Sequence, residues 1–519
     1  MILGDPRTTL KTVSAHVGAP TTLDDVFRRA AARRPDALAI ADPPNRAHFT
    51  DGAPRRLSFA EADRIISAIA ARLRRIGLQT DSVVAIQLPN TVEGVLAILG
   101  VLRAGMIAAP LPLLWRHADT TMALNRVGAK AIITTSRIGD VDHCDLAMQV
   151  AAEIFQIRYI CGFGEGLADG VIPFDDVMTE TPIETPPDVR RDGNPAAHVA
   201  VVTWDVTPEG HVAVARNHME LLAGGVATLL EGGLKQNASI LGCCAVGSFA
   251  GLSLTVLPWL LTGGTLSLHH GFDAKAFGAQ CFVERCDTVV APGPLVPRLV
   301  EAGLLSHAEL SNVLAVWRAP ERLLISPAWL DRNATLIDIL VFGEIALLGS
   351  RRDANGRPAS LPAGEVLAPR GADGAVPVAE IARTLAGTVA LRGPMVPRHA
   401  FPPGIERMGG PRFLADAEGF VDTGYSCRID RAAKTLQITG PPPGIVSVGG
   451  YRFVLSELEN LIRAADDGAA LTALPDALAG HRLAGLSADA GDVRSVLVSL
   501  GVNPLVADAF RHRRRPQAA

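Results

Sequence analysis

Lysine is scarce in this chain and is absent from its last part. The five lysines are Lys11, Lys130, Lys235, Lys275 and Lys434, and residues 435–519 contain none. Arginine replaces lysine poorly where chemistry needs a compact point charge, because the guanidinium group is planar and delocalised. The absence therefore excludes a catalytic ammonium side chain from residues 435–519.

Features that mark secreted, metal-binding or nucleic-acid-binding proteins are also lacking. The seven cysteines are odd in number and form no CxxC pair, which argues against a disulfide framework or a structural zinc site. The net charge of −4 leaves no electrostatic footprint for nucleic acid. Residues 1–11 do not combine a basic region with an apolar stretch, so no secretory signal is predicted. We expect a cytoplasmic protein without a metal site or a nucleic-acid partner.

One apolar stretch has the length of a membrane span. Residues 236–272 contain no Asp, Glu, Lys or Arg, and about 20 apolar residues suffice to cross a bilayer. The run is interrupted by Gly251, by Pro258 and by the pair Gly263 and Gly264. This pattern predicts a strand, a buried helix, a tight turn and a second strand, and no membrane span.

Apolar residues make up 48% of the 519 residues, and their spacing predicts an α/β protein with more than one domain. Thr22 and Ser58 are typical helix N-caps, and Glu61 completes a capping box with Ser58. Three consecutive prolines follow Gly440, which predicts a boundary between residues 1–440 and 441–519. The predicted elements are helices over 22–34, 58–75 and 91–104, and strands over 84–88 and 131–135.

Several sequence segments occur in an order that resembles a known family. They are Val84-Ala-Ile-Gln-Leu-Pro-Asn90, Gly263-Gly-Thr-Leu266, Leu391-Arg-Gly-Pro394, Phe420-Val-Asp-Thr-Gly424 and Gly449-Gly-Tyr-Arg-Phe-Val-Leu-Ser-Glu-Leu-Glu459. In this order they resemble the AMP-forming acyl-CoA synthetases of the adenylate-forming superfamily. The resemblance implies a large N-terminal domain with two α/β layers and a small β-barrel, followed by a shortened α+β C-terminal domain.

The resemblance also implies a phosphate loop, and the matching segment departs from the family pattern. That loop is rich in Ser, Thr and Gly and ends in Pro-Lys-Gly, whereas this chain has Thr203-Trp-Asp-Val-Thr-Pro-Glu-Gly-His211. Thr203 and Thr207 alone remain as phosphate contacts. Asp205 adds negative charge, and His211 stands at the lysine position. The alternative interpretation is an ordinary turn between two structural elements.

The segments that resemble the family's adenine, magnesium and ribose motifs are altered as well. The family's adenine and magnesium motif ends in threonine and a metal-facing glutamate. In this chain isoleucine and alanine stand at those two positions, directly after Phe342, Gly343 and Glu344. A two-residue shift would let Glu344 serve instead. Tyr425 stands where the family has its ribose-binding aspartate, and a phenol cannot accept from two ribose hydroxyls as a carboxylate does. The alternative for Tyr425 is a packed aromatic side chain.

The family's hinge between the two domains falls on the proline run. Pro441 stands at the ribose-binding arginine and Pro443 at the hinge residue. Prolines fix φ and favour a stiff segment, which predicts a locked hinge unless Gly444 takes over the rotation. The alternative is a plain linker without a mechanical role.

The acyl pocket is the better-preserved half of the resemblance. Ser248 aligns with a family position that borders the substrate carboxylate, Phe249 follows it, and Trp317 would line the same apolar cavity. The alternative is that all three side chains fill the core.

Together these patterns favour an acyl-CoA synthetase-like protein with an eroded ATP site, either a pseudoenzyme or a repurposed homologue. It would bind an acyl or aryl small molecule or a protein partner and would need no cofactor. The alternative is an active acyl-CoA ligase that uses ATP, Mg and CoA with atypical catalytic residues. A third hypothesis is an interaction subunit that docks a true synthetase.

Overall fold

Two large sheets, a six-stranded antiparallel sheet and a four-stranded sheet organise the chain. The computed structural model describes residues 21–179, 189, 191–330, 333–369, 374–399, 401–403 and 415–511. The strands are, in chain order, β1 (Leu38–Ala41), β2 (Arg56–Ser58), β3 (Val83–Ile86), β4 (Ile107–Pro110), β5 (Ala131–Thr135), β6 (Arg137–Ile138), β7 (Val141–Asp142), β8 (Tyr159–Phe163), β9 (Ile172–Pro173), β10 (Val199–Thr207), β11 (Gly210–Asn217), β12 (Ser239–Gly242), β13 (Thr265–Leu268), β14 (Thr288–Pro292), β15 (Asn312–Trp317), β16 (Thr335–Phe342), β17 (Ala346–Arg351), β18 (Leu361–Pro362), β19 (Gly364–Pro369), β20 (Ala375–Arg383), β21 (Thr388–Arg392), β22 (Val421–Asp430), β23 (Thr435–Gly440), β24 (Ile445–Val448), β25 (Tyr451–Val454), β26 (Ala470–Asp476) and β27 (Gly480–Leu486).

The α-helices alternate with these strands over most of the chain. They are α1 (Leu23–Arg33), α2 (Phe59–Arg75), α3 (Val92–Arg103), α4 (His117–Val127), α5 (His143–Glu153), α6 (His218–Gly232), α7 (Phe249–Gly251), α8 (Leu257–Thr262), α9 (Ala274–Val283), α10 (Val296–Glu301), α11 (Leu455–Ala465), α12 (Ala490–Ser499) and α13 (Pro504–Ala507). A π-helical turn over Leu252–Val256 joins α7 to α8, so the backbone is helical from 249 to 262.

The two large sheets form two α/β layers that share one apolar core. The first runs in the order β17-β16-β15-β14-β12-β13-β1-β2, and the second runs β11-β10-β4-β3-β5-β8-β9. Strands β12 to β16 pair in parallel in the first sheet, as do β3, β4, β5 and β8 in the second. Buried apolar residues of α1, α2, α3, α6 and α8 belong to the largest core cluster together with strands of both sheets. This is the layered α/β arrangement that the sequence predicts.

The six-stranded sheet, β18-β23-β22-β21-β20-β19, is antiparallel throughout. The four-stranded sheet β25-β24-β27-β26 has its own apolar core with α11, α12 and α13. Strand β23 ends at Gly440 and β24 begins at Ile445, which brackets the proline run. The domain boundary at residue 440 remains a prediction.

Local sequence signals fix the first helices as expected. Thr22 accepts a hydrogen bond from the Asp25 amide and caps α1, and Ser58 forms the predicted capping box with Glu61 at the start of α2. A capping box satisfies backbone amides that have no partner within the helix. Strand β5 has the predicted bounds, whereas β3 ends two residues before the predicted Leu88 because the chain turns there toward α3.

Residues 236–272 fold as the interrupted pattern predicts. They form β12, the helical stretch from 249 to 262, a left-handed turn at Gly263 and β13. The charge-free run is therefore a strand–helix–strand unit with two parallel neighbouring strands, and many of its apolar residues belong to the shared core of the large sheets. None of the described helices has the length and apolar character that a membrane crossing requires.

Gly100 lets α3 cross α2 at close range, and we predict that Gly100→Val destabilises the protein. A Cβ atom at Gly100 would lie 2.4 Å from Cγ2 of Ile69, and overpacking of this kind typically costs about 1–3 kcal/mol. Chemical denaturation measures the loss. The matched control is Ile69→Ala in the same background, which makes room for the valine. Simple additivity of the two single effects would contradict this packing argument.

Candidate ligand-binding site

Strands β10 and β11 form a continuous antiparallel hairpin over the predicted phosphate-loop segment. Thr203, Asp205 and Thr207 lie on β10, and His211 lies on β11. The Thr203 hydroxyl donates to the carbonyl of its cross-strand partner Val214 at 3.5 Å. The Thr207 hydroxyl donates to the carbonyl of Gly210 at 3.2 Å, across the two-residue turn that closes the hairpin. Both hydroxyls are thus bonded to the hairpin itself, and the backbone here is regular strand.

His211 lies in an aromatic cluster. Its ring is 5.5 Å from that of Trp115 in an edge-on arrangement, and Trp115 is in turn 5.5 Å from Trp204. Burial, together with the nearby charge of Arg126, lowers the pKa of His211 to about 4. The side chain is therefore neutral at pH 7 and brings no positive charge to the site.

The carboxylate of Asp205 joins three separate parts of the chain. Its Oδ1 atom accepts from Nη1 of Arg452 on β25 at 2.6 Å and from the amide of Val206 at 2.8 Å. Its Oδ2 atom accepts from the amide of Glu344, which follows β16, at 2.7 Å. The Asp205–Arg452 ion pair therefore ties the C-terminal sheet to both large sheets.

Gly343 allows this close approach. Its φ of +57° is left-handed, a conformation that glycine adopts readily. A Cβ atom there would lie 2.1 Å from Oδ2 of Asp205 and 2.5 Å from Nη1 of Arg452. A side chain at this position would separate the two charged groups.

Tyr425 is a buried aromatic residue whose hydroxyl holds Arg452. Nη2 of Arg452 donates to the Tyr425 oxygen at 2.8 Å, and the Tyr425 hydroxyl donates to the carbonyl of Arg318 at 3.4 Å. The Tyr425 ring stands perpendicular to that of Phe342, with centroids 5.5 Å apart. Both rings are at least 99% buried. The position thus carries the packed aromatic side chain that was the alternative interpretation.

Glu344 is the carboxylate of the turn between β16 and β17. Its Oε2 atom accepts from the amide of Phe249 at 2.7 Å, and burial raises the pKa of Glu344. Arg216 donates to the backbone carbonyls of Glu344 and Ile345, so this turn is held from both sides. Within the described ranges, no three His, Cys, Asp or Glu side chains are grouped so as to hold a metal ion.

A cavity of about 590 Å³ opens beside these groups, at the carboxyl ends of parallel strands from both large sheets. This is the usual position of a ligand crevice in an α/β sheet, and the volume is typical of sites for drug-sized molecules. The C-terminal sheet covers one side with residues 449–453. Apolar residues form much of the wall, namely Leu88, Ile98, Pro110, Leu111, Trp115, Val246, Val316 and Trp317.

Two of the predicted acyl-pocket residues, Ser248 and Trp317, line this cavity. Trp317 is fixed by a 2.9 Å hydrogen bond from its Nε1 to Asp338. Phe249 instead lies in the core, where the guanidinium of Arg216 stacks 3.7 Å above its ring. The reason is local: Ser248 caps the helix that begins at Phe249, and successive residues of a helix point in different directions.

The proline linker forms a turn. The amide of Ile445 donates to the carbonyl of Pro442 at 3.2 Å, and Gly444 has a φ of +73°. Pro443 and Gly444 are therefore the two central residues of this turn. A type II turn favours proline at the first central position and a residue with positive φ at the second, which is the arrangement here. Pro441 opens the linker directly after β23. Whether these residues lock the relative position of the domains remains a prediction.

Further contacts hold the C-terminal sheet over the cavity. The amide of Leu114 donates to the hydroxyl of Tyr451 at 3.0 Å, and Arg322 donates to the carbonyl of Gly480 at 2.7 Å. With the Asp205–Arg452 pair, they join the C-terminal sheet to the loop after β4, to the segment after β15 and to β10.

Two arginines at the site, Arg318 and Arg452, have no role of their own in the sequence-based predictions, although residues 317–320 are expected to line the cavity. Arg452 lies inside the Gly-Gly-Tyr-Arg segment that carries the family resemblance, but its partner Asp205 is 247 residues earlier in the chain. Arg318 follows β15 directly and lies in the stretch 317–320 that is predicted as apolar cavity wall, with no role assigned to its charge. The available signal was a single charge at the end of an apolar strand.

Comparisons with known proteins agree with this architecture. Residues 27–177 match the AMP-binding enzyme family. The chain is 25% identical over 294 residues to long-chain fatty acid transport protein 1 of Bos taurus. The matched stretch covers 55% of this chain and 43% of that protein. It is 30% identical over 148 residues to the salicyl-AMP ligase / salicyl-S-ArCP synthetase of Mycobacterium tuberculosis. This match covers 28% of this chain and 25% of that protein. The matched stretches span less than half of either relative.

Solved structures share the fold over nearly the whole chain. An o-succinylbenzoate CoA synthetase from Bacillus subtilis superimposes with a TM-score of 0.69 at 15% identity, over 95% of this chain and 96% of that one. MbtA from Mycobacterium smegmatis superimposes with a TM-score of 0.65 at 20% identity, over 97% of this chain and 93% of that one. The chain has the fold of the adenylate-forming enzymes, with a large N-terminal and a small C-terminal domain.

We predict that Arg452→Met destabilises the protein by about 3–5 kcal/mol, because it leaves the buried Asp205 carboxylate without its partner. Thermal and chemical denaturation measure the effect. Tyr425→Phe is the matched control: it removes one hydrogen bond to the same guanidinium and should cost about 1 kcal/mol. Equal losses in the two variants would show that the ion pair is not the main connection.

Proposed function

We propose that this chain is an acyl-CoA synthetase-like protein with an eroded ATP site, which binds an acyl or aryl compound in its cavity. The observation that carries the proposal is the closed hairpin of β10 and β11 at the segment aligned with the phosphate loop. Phosphate-binding loops hold phosphate with backbone amides that have no other partner. Here the cross-strand ladder runs through Thr203 to Thr207.

The charges around the hairpin also disfavour a triphosphate. Asp205 faces the turn after β16, where its carboxylate is already paired with Arg452 and with the amide of Glu344. The Oε2 atom of Glu344 accepts from the Phe249 amide, so one oxygen of this carboxylate is already used by the protein and is less available to magnesium, which binds through carboxylates, waters and substrate phosphates. The residues present do not fit Mg-ATP, and we assign no step to it.

The ribose and lysine positions support the same conclusion. The Tyr425 hydroxyl is bonded both to Arg452 and to the carbonyl of Arg318, so its hydrogen-bonding capacity is already used. Residues 435–519 supply no lysine to stabilise the charge that develops during adenylation.

The cavity, by contrast, suits an apolar ligand. Its wall is largely apolar, and its volume of about 590 Å³ leaves room for an acyl chain or an aromatic ring. The names of two relatives point to the same ligand classes, since one is a fatty acid transport protein and the other a salicyl-AMP ligase. We propose a cytoplasmic protein that binds such a compound alone or together with a protein partner.

An active ligase is the second candidate, because Arg318 and Arg452 line the cavity and bring positive charge to its wall. It would join a carboxylate to CoA at the expense of ATP. Both candidates use the same cavity and differ in whether ATP is bound.

We expect calorimetry with Mg-ATP to show no binding in the micromolar range, because each tenfold in affinity corresponds to about 1.4 kcal/mol and several contacts are missing. Titration of the same sample with decanoate serves as the control for intact protein. Micromolar affinity for Mg-ATP, or release of AMP on mixing with ATP and a carboxylate, would favour the active ligase instead.

We also predict that affinity for saturated fatty acids rises by about 0.8 kcal/mol for each added methylene until the cavity is full. Gly247 gives a way to close the cavity: it lines the wall, and a Cβ atom there would lie 3.6 Å from both Pro110 and Leu111. Gly247→Phe should abolish fatty-acid binding in thermal-shift and calorimetric measurements.

The matched control is Gly247→Ala, which adds one methyl group and should leave binding nearly unchanged. If no acyl or aryl compound raises the melting temperature of the unaltered protein, the interaction-subunit hypothesis takes precedence.

A further inference from the structure

We propose that docking of the C-terminal domain onto α4 is controlled by a proton on Asp119. The two parts hold together when this carboxyl group is protonated and separate more easily when it is ionised. The inference goes beyond the proposed function, because it concerns how the cavity is covered and requires no ligand. It assigns a role to a carboxyl group that the site described above leaves unused.

The first turn of α4 touches the C-terminal domain through backbone atoms. The amide of Ala118 donates to the carbonyl of Gly501 at 3.2 Å. Gly501 has a φ of +65°, and a Cβ atom there would lie 2.7 Å from Cβ of His117. Asp119 and Asn503, which follow shortly in the two segments, both line the cavity. They therefore belong to one junction between α4 and the C-terminal domain.

Asp119 places one carboxyl oxygen where the protein offers no bond. Its Oδ2 atom is buried and has no hydrogen-bond partner among the described residues. The carboxyl group does accept from the backbone amide of Arg116, the N-cap residue of the helix. A buried carboxylate without a compensating partner is strongly unfavourable, whereas its protonated form is much less so. Ionisation of Asp119 therefore opposes the docked arrangement.

The charges on α4 compensate Asp119 only in part. The guanidinium of Arg116 acts on the carboxyl group from a distance, because its Nη1 atom donates to two backbone carbonyls just before the helix, at 3.0 and 3.1 Å. His117 lies 3.3 Å from the carboxylate of Glu153 and is directed to that group. Neither side chain forms an ion pair with Asp119.

The C-terminal domain contributes a like charge to Asp119. Glu457 on α11 acts on the carboxyl group with its negative charge. The Tyr451 hydroxyl, from β25, accepts from the amide of Leu114 at 3.0 Å. Burial raises the pKa of Tyr451, so this group is neutral at physiological pH. Docking therefore brings Asp119 closer to negative charge and supplies no cation in exchange.

Asn503 shows that hydrogen bonds do not close this junction. It is 2% exposed, and its Oδ1 atom accepts from the amide of Leu505 at 3.0 Å. Its Nδ2 atom has no partner within the described ranges. A buried polar atom without a partner is unfavourable, and the two facing segments each contain one. The charge state of Asp119 therefore weighs heavily in the stability of this contact.

Burial raises the pKa of Asp119 to about 7, and the charge of Glu457 adds to this rise, while the amide and the charge of Arg116 act against it. In the undocked state the carboxyl group is in water, where an aspartate titrates at about pH 4. Docking is therefore strongest below about pH 4, weakens as the pH rises from about 4 to about 7, and is constant above that. Because residues 449–453 of the C-terminal sheet cover one side of the cavity, weaker docking uncovers it more often.

Hydrogen–deuterium exchange of the whole chain tests the proposal without a ligand. The Ala118 amide is bonded across the junction. The protection of a peptide over residues 114–121, corrected for the intrinsic exchange rate at each pH, therefore reports the docking equilibrium. We expect this protection to fall by about tenfold to a hundredfold between about pH 5 and pH 8. The fully buried helix α3 is the reference for opening of the entire fold and should change less.

Asp119→Asn removes the titrating group with little change of shape. This variant should keep the junction at pH 8 as protected as the unaltered chain is at pH 5. Glu457→Gln is the matched control, because it removes an exposed negative charge near the same carboxyl group but lies outside the cavity wall. It should keep most of the pH dependence.

Equal protection of the junction at pH 5 and pH 8 in the unaltered chain would overturn this inference. An equal fall in the junction and in α3 would do the same, as would a fall that persists in Asp119→Asn. The first comparison uses the unaltered chain and does not depend on the folding of a variant. Since ligand binding is not measured, each of these outcomes leaves the proposed function intact.

Discussion

The site is organised around one buried ion pair, between Asp205 on β10 and Arg452 on β25. A buried carboxylate is tolerated only when it is paired and hydrogen-bonded. Asp205 meets this condition through contacts to two other parts of the chain, the guanidinium of Arg452 and the amide of Glu344. The position of the C-terminal sheet, the turn after β16 and the end of the hairpin are consequently linked. Gly343 permits the arrangement because it adds no side chain between the charges.

The polar and the apolar parts of the site differ in how far they are already used. Groups aligned with the family's nucleotide contacts bond within the protein: Thr203 and Thr207 within the hairpin, and Tyr425 with Arg452. The apolar wall of the cavity remains open, with Arg318 beside it. A protein with this division would keep ligand recognition without the chemistry that drives ligation. That is the physical basis of the function proposed above.

Local patterns predicted the parts of the fold that depend on neighbouring residues. The capping signals at Thr22 and Ser58 and the interrupted run over 236–272 were predicted correctly, because each depends on contacts a few residues apart or on the exclusion of charge from a core. The site was predicted less completely. Ser248 and Trp317 do line the cavity, but Phe249 lies in the core beneath Arg216. The charges of Arg318 and Arg452 were given no role. A pairing across 247 residues leaves no periodic signal in the sequence.

The sequence by itself determined the layered α/β class, the start of the first helices and the lack of lysine after Lys434, since these follow from composition, spacing and caps. Only the tertiary structure decided what the unusual residues do. From the sequence, Asp205 is predicted to repel phosphate, whereas in the fold its carboxylate is the ion-pair partner of Arg452. From the sequence, Tyr425 is interpreted as a poor substitute for an aspartate, whereas in the fold its hydroxyl accepts a hydrogen bond from Arg452. The reason is physical: the role of a charged or polar group depends on which groups surround it once water is excluded, and for these residues those groups come from distant parts of the chain.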